Sequence, residues 1–223
     1  MKSYNIHFIR HAACEETRKG EYVGTKDVPL SAEGISELKK LDKEFEYPGT
    51  AVVFTSPLKR CIQTCEIIYP AMTPIVINEL RECSFGEWEG RTAESLSSNE
   101  DFKKWLAGDT SIKPPKGESG ADFTKRVCNV FKNIVDGLIK TGTTDAVIVT
   151  HGGVIMTLLA VYGLPQAKPF EWAMEDGCGY SVRVTPMLWM RDHVAEVYRR
   201  LPLEKSDDEY DYDDIVYFDK YDE

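Results

Sequence analysis

Two short, mostly apolar runs, Tyr4 to Ile9 and Ala146 to Thr150, each break off at a histidine: His11 beyond Arg10 in the first, His151 in the second. No other feature limits the fold as much. Each short run marks a buried strand. Ser31 to Phe45 reads as a helix capped by Ser31, with Ile35, Leu38, Leu41 and Phe45 on one side. Ala51 to Thr55 reads as a second strand, Leu58 to Ile68 as a helix after Pro57, and Ile75 to Asn78 as a third strand. Glu100 to Ala107, Ala121 to Ile139 and Val154 to Tyr162 are expected to be helical, and Tyr180 to Thr185 is expected to pair with Val194 to Arg200 across a turn at Arg191-Asp192. Alternating strands and helices predict a layered α/β domain with a mostly parallel sheet. Ligands collect outside the carboxyl ends of such strands, where both histidines would sit.

The chain of 223 residues, 42% apolar, is long enough for one well-filled core over residues 1–203, with a small insertion at about 83–120. Its N-terminus meets Arg10 and His11 too early for a signal peptide or membrane span, so a cytoplasmic location and no membrane partner are expected. Six cysteines without zinc-type spacing fit free thiols in a reducing compartment. The net charge of −10 is concentrated in an acidic, tyrosine-rich tail, residues 204–223, which holds ten acids against two lysines. With no basic stripe and a repelling tail, nucleic acid is excluded as a partner. The apolar stretch Ile215-Val216-Tyr217-Phe218 leaves open whether the tail docks on the body or on a neighbouring subunit of a homo-oligomer.

Two strand-end histidines, two arginines and a carboxylate suit phosphoryl transfer. Attack on a phosphomonoester needs a nucleophile in line, positive donors for the phosphoryl oxygens and a proton for the leaving oxygen. A neutral His11 supplies the first, and nearby arginines keep it neutral because like charge disfavours imidazolium. Arg10 and Arg60 offer planar forks for phosphate, His151 adds a donor, and Gly152 lets its backbone approach closely. Glu82, after the third strand and flanked by aromatics that would raise its pKa, is the expected general acid, later activating water.

The motifs around these residues run in order along the chain. They include Arg10-His11, the Gly20 to Gly34 run with Tyr22, Gly24, Asp27 and Pro29-Leu30-Ser31, Ser56-Pro57 with Arg60 and Thr64, Glu82 with Gly86 and Trp88-Glu89-Gly90, Pro115 with Gly117-Glu118-Ser119, and Thr150-His151-Gly152-Gly153. Over roughly residues 4–162 the chain resembles the histidine phosphatase superfamily, also called phosphoglycerate-mutase-like. The resemblance implies a three-layer α/β/α sandwich, His11 as the phosphorylated nucleophile, Glu82 as general acid, and Arg10, Arg60 and His151 as the phosphate pocket. It implies no metal and no other cofactor, with a small-molecule phosphate ester as partner.

Two positions depart from that pattern: Ala12 stands where glycine is usual, and Thr17 where an asparagine typically contacts phosphate. Ala12 implies a backbone that does not need positive φ, and Thr17 keeps a hydroxyl donor with shorter reach. Gly24 and Arg91 are expected to bind substrate. Val23 stands where a mutase would carry a hydroxyl, no Arg-Arg pair lies between Trp105 and Pro115, and Arg91 is the only nearby basic residue after the Glu82 segment. The phosphatase branch, which includes α-ribazole phosphatase, is therefore favoured over a phosphoglycerate-type mutase. A non-catalytic phospho-ligand binder is the alternative of another class. His7 and His193 read as structural, Phe85 and Trp88 as packing residues, and Cys14 and Cys83 as bystanders within the site loops. No cysteine has an arginine six residues later, and Asp211-Tyr212-Asp213 falls too late in the chain to be an aspartyl-phosphate motif.

Overall fold

Both apolar runs are strands in the computed structural model, which describes residues 2–205. The elements run β1 (Tyr4–Arg10), α1 (Glu15–Arg18), α2 (Ala32–Glu44), β2 (Phe45–Glu46), β3 (Val52–Thr55), α3 (Lys59–Ile68) and β4 (Ile75–Val76). After them come α4 (Ala93–Leu96), α5 (Glu100–Leu106), α6 (Gly120–Thr141), β5 (Asp145–Thr150), α7 (Gly152–Tyr162), β6 (Gly163–Leu164), β7 (Gly179–Val184), α8 (Pro186–Asp192), β8 (Ala195–Leu201) and β9 (Leu203–Glu204).

Seven strands form one sheet in the order β4-β3-β5-β1-β7-β8-β6, with four parallel and two antiparallel neighbour pairs. The alternation of a strand explains the two apolar faces. Ile6 and Phe8 of β1 and Ala146 and Ile148 of β5 join a core with α6, α7 and α8. Ile9, Val147 and Val149 face the other way, against Leu38 of α2 and Cys61, Cys65 and Ile68 of α3. Helices thus cover both faces and make the three-layer α/β/α arrangement. Each buried Ile, Val or Phe contributes about 1.5–3 kcal/mol by leaving water, and the charged residues of these two strands, Asp145 and Arg10, stand at strand ends.

The helix boundaries follow local chemistry. Ser31 caps α2 by accepting the Gly34 N–H at 2.9 Å, and Ser119 caps α6 by accepting that of Asp122 at 3.1 Å. Seven buried residues from Phe123 to Leu138 form the core-facing stripe of α6. Among the described residues no helix is long and apolar enough to cross a membrane.

Two expectations need correction. The strand expected over Ile75 to Asn78 stops at Val76, because Asn78–Leu80 coils into a 3-10 turn that buries Leu80. Tyr180 to Thr185 and Val194 to Arg200 do pair antiparallel, but α8 joins them in place of a turn at Arg191-Asp192. Pro186 opens α8. Its Trp189 is buried against Phe131 and Tyr162, at centroid distances of 5.6 and 5.4 Å, which draws the connection into a helix. Between Glu82 and α6, Trp88, Leu96 and Phe102 form a small core of their own, joined by Tyr22, Phe85 and Trp105. At the other end Glu204 pairs with Phe45, and the tail from residue 206 onward lies outside the described residues.

Candidate active site

Parallel pairing of β3, β5 and β1 brings three carboxyl ends side by side. The His11 N–H donates to the Thr150 carbonyl at 2.9 Å and the Ser56 N–H to that of Val149 at 3.1 Å, so His11, His151 and Ser56 leave the sheet together. The His11 and His151 rings meet edge to face, 5.1 Å between centroids.

The His11 ring has one orientation and one tautomer. Its Nδ1 lies 2.7 Å from the Ala12 carbonyl oxygen, which can only accept, so Nδ1 carries the proton. Nε2 is left with its lone pair, and accepts from Arg60 Nε at 3.1 Å. Burial, followed by the charge of Arg60, holds the imidazole pKa well below its ordinary value, with a smaller push from Arg10. His11 is a neutral base with its lone pair turned toward a guanidinium. Ala12 lacks positive φ, and its N–H donates to the Thr64 hydroxyl at 3.1 Å, so a methyl group in place of the usual glycine causes no strain.

Arg60 is fully buried. Its Nη1 donates to the Lys26 carbonyl at 2.8 Å and its Nη2 to that of Gly24 at 2.7 Å. Each Nη keeps a second N–H, so the fork is fixed before any ligand arrives. Arg10 is held from the other side: Nη1 donates to the Met174 carbonyl at 2.7 Å, and Nη2 pairs with Asp176 at 2.8 Å. Its Nε is buried with no partner among the described residues, a donor awaiting an acceptor. His151 Nε2 lies 2.8 Å from the Ser56 hydroxyl, and burial, then Arg60, depresses its pKa as well.

Glu82 reaches the same place from the loop after β4. One carboxylate oxygen accepts the Cys83 N–H at 2.9 Å and the other the Gly153 N–H at 3.0 Å, in the first turn of α7. Burial raises its pKa, against the opposite pull of these two donors and of Arg60 and Arg10. Behind it, Arg126 of α6 donates to the carbonyls of Glu79, Arg81 and Glu82 and forks onto Glu118, with Nε–O and Nη2–O distances of 2.9 and 2.7 Å.

The remaining expected site residues are placed as follows. Gly152 opens α7 with its backbone against the Arg10 guanidinium. Gly24 contributes its carbonyl to Arg60. The Thr17 hydroxyl is engaged at home, donating to the Cys14 carbonyl at 3.0 Å and accepting the Cys14 N–H at 3.1 Å. Arg91 is exposed and donates to the Ser95 carbonyl at 3.1 Å. His7 is buried with Nδ1 2.8 Å from the Ser181 hydroxyl, and His193 packs on Trp189. Burial pushes the Cys14 thiol up to about 11 and that of Cys83 higher, which suits inert packing. Ser56, Thr64, Glu89 and Glu118 lay inside quoted motifs without a role, whereas Arg126, Met174 and Asp176 carry no local sequence signal.

The sequence profile of the histidine phosphatase superfamily (branch 1) matches residues 6–194. The chain belongs to this superfamily. Among its histidine phosphatase relatives is phosphoserine phosphatase 1 of Hydrogenobacter thermophilus, 31% identical over 180 residues, covering 78% of this chain and 83% of the relative. The 2,3-bisphosphoglycerate-dependent phosphoglycerate mutase of Rhizobium etli is 30% identical over 160 residues, covering 67% and 76%. The crystal structure of the α-ribazole phosphatase of Shigella flexneri shares the fold, with a TM-score of 0.73 over 90% of this chain and 96% of that one, at 23% identity. Both phosphatase and mutase members of the superfamily are therefore near this sequence.

Proposed function

We propose that this chain hydrolyses the phosphomonoester of a small metabolite through a phosphohistidine at His11. The observation that carries the reading is the His11 ring itself: Nδ1–H fixed on the Ala12 carbonyl, and the Nε2 lone pair facing the Arg60 guanidinium. An incoming phosphoryl group would take the Arg60 Nε–H and the unpartnered Arg10 Nε–H, freeing the Nε2 lone pair. Nε2 then attacks phosphorus in line, the ester P–O bond breaks, and protonated Glu82 gives its proton to the leaving oxygen. In the second step Glu82 takes a proton from water, whose oxygen displaces the histidine, restoring neutral His11 and protonated Glu82. The fixed donors of Arg60, Arg10 and His151 carry the charge that develops in both steps.

Hydrolysis is favoured over mutase chemistry because a mutase must hold a second acidic group. Here Val23 offers no hydroxyl and packs against the core, and Arg91 is turned to the Ser95 carbonyl. Incubation with a panel of esters in EDTA tests the reading, with phosphoserine and α-ribazole phosphate included because relatives and neighbours carry those names. Wild type is expected to release phosphate and to acquire an acid-labile phosphate, and His11→Ala to do neither; equal release by the two proteins would refute it. The rate should fall on the acid side as His11 protonates, below the ordinary histidine range, and on the alkaline side as Glu82 ionises, above the ordinary carboxylate range.

A further inference from the structure

Glu89 touches none of the groups in the proposed reaction, yet four donors converge on its carboxylate. Oε1 accepts the Thr25 N–H at 2.8 Å, the Thr25 hydroxyl at 3.0 Å and the Phe85 N–H at 3.3 Å, while Oε2 accepts the Lys26 N–H at 2.8 Å. Two loops are pinned on one side chain. The first, residues 24–26, presents the Gly24 and Lys26 carbonyls that hold Arg60; the second, residues 83–85, directly follows Glu82. Packing closes the arrangement: a Cβ on Gly24 would lie 2.6 Å from Glu89 Oε1 and 2.2 Å from the Cys83 carbonyl oxygen. The chain of contact runs from Glu89 to the 25–26 amides, to the 24 and 26 carbonyls, to Arg60, and to His11 Nε2.

We propose that Glu89 is a positioning residue that fixes the Arg60 guanidinium against His11 through the backbone of residues 24–26. The inference rests on His11 as nucleophile. Without the Glu89 carboxylate, the loop loses its anchor, and the Arg60 fork loses its fixed acceptors. A charge displaced from His11 then depresses the imidazole less. The other groups facing His11 stay where they are: Arg10 on β1 with its partner Asp176, His151 after β5, and Glu82 on its own loop.

Glu89→Gln tests this, because Gln keeps the volume and one acceptor but turns an N–H₂ toward the Lys26 N–H. In ¹⁵N-histidine NMR titrations the His11 pKa is expected to rise relative to wild type. With a synthetic aryl phosphate, the acid limb of kcat/KM should move to higher pH in step, with kcat/KM lowered up to about a hundredfold for a misplacement near 1 Å. Glu89→Asp keeps the charge and should return part of both changes. A folded Glu89→Gln protein with an unmoved His11 pKa and acid limb would overturn the proposal. Should Glu89→Gln fail to fold, Glu89→Asp carries the comparison: a smaller rise in the same direction supports it, and no rise overturns it. The titration needs no turnover, so a wild type that releases no phosphate counts against the hydrolase and leaves Glu89 to be decided by NMR.

Discussion

Gly153→Ala should separate activity from stability at one position. A Cβ there would lie 2.5 Å from Glu82 Oε1 and 3.0 Å from Oε2, against an ordinary contact of 3.4 Å or more. The carboxylate must withdraw by roughly 1 Å, a displacement that costs on the order of a hundredfold in rate, or about 2.7 kcal/mol of barrier. Stability moves little, because the obstacle is the far end of a flexible side chain. Alanine in the first turn of α7 gains about 0.5–1 kcal/mol over glycine, and loss of the 3.0 Å Gly153–Glu82 hydrogen bond gives back about 1 kcal/mol. The expected result is a kcat near 1% of wild type with a melting temperature within about 2 °C, since 1 kcal/mol corresponds to roughly 2–4 °C in a domain this size. Steady-state kinetics on an aryl phosphate and a thermal melt suffice. A variant with wild-type kcat would refute the place given to Glu82, and one that loses activity and 10 °C together would refute the separation.

Arg126→Met should do the reverse and strike stability first. Arg126 and Glu118 are only 14% and 18% exposed, so leaving Glu118 unpaired costs about 3 kcal/mol and lowers the melting temperature by roughly 6–12 °C; a fall under about 2 °C would mean that the Glu79 to Glu82 carbonyls are held by other groups. His7 governs part of the acid sensitivity. Burial depresses its pKa to about 4, so between pH 6.5 and 4 the unfolded chain binds a proton that the folded one refuses, and stability falls with pH by about 3 kcal/mol. His7→Gln should show a correspondingly shallower loss in urea titrations over that window, and an unchanged slope would remove His7 as the cause.

The layered fold was legible because β5 leaves an unbroken apolar run from Ala146 to Val149, because β1 is interrupted only by Asn5 and His7 before Arg10, and because Ser31 announces its helix directly. α8 was not, because a helix of seven residues starting at Pro186 owes its form to Trp189 finding Phe131 and Tyr162, residues distant in sequence. The same division runs through the site. His11, Arg60, Glu82 and His151 sit in local patterns that a single sequence displays, whereas Asp176 and Arg126 act across 166 and 44 positions, on Arg10 and Glu82, with nothing around them to mark it. Thr17 illustrates a subtler loss. Its side chain closes on Cys14, a choice of rotamer that the identity of the residue does not reveal.

That Arg60 is gripped by carbonyls and not by side chains has a consequence for how such a site can change. A peptide oxygen is present whatever residue bears it, so position 26, whose lysine side chain is exposed, can be exchanged without altering the grip. Position 24 has no such freedom, being walled in by Glu89 and Cys83. The loop that holds Arg60 is thus divided into a residue that selection or an engineer can vary without loosening the guanidinium and a neighbour that must stay glycine.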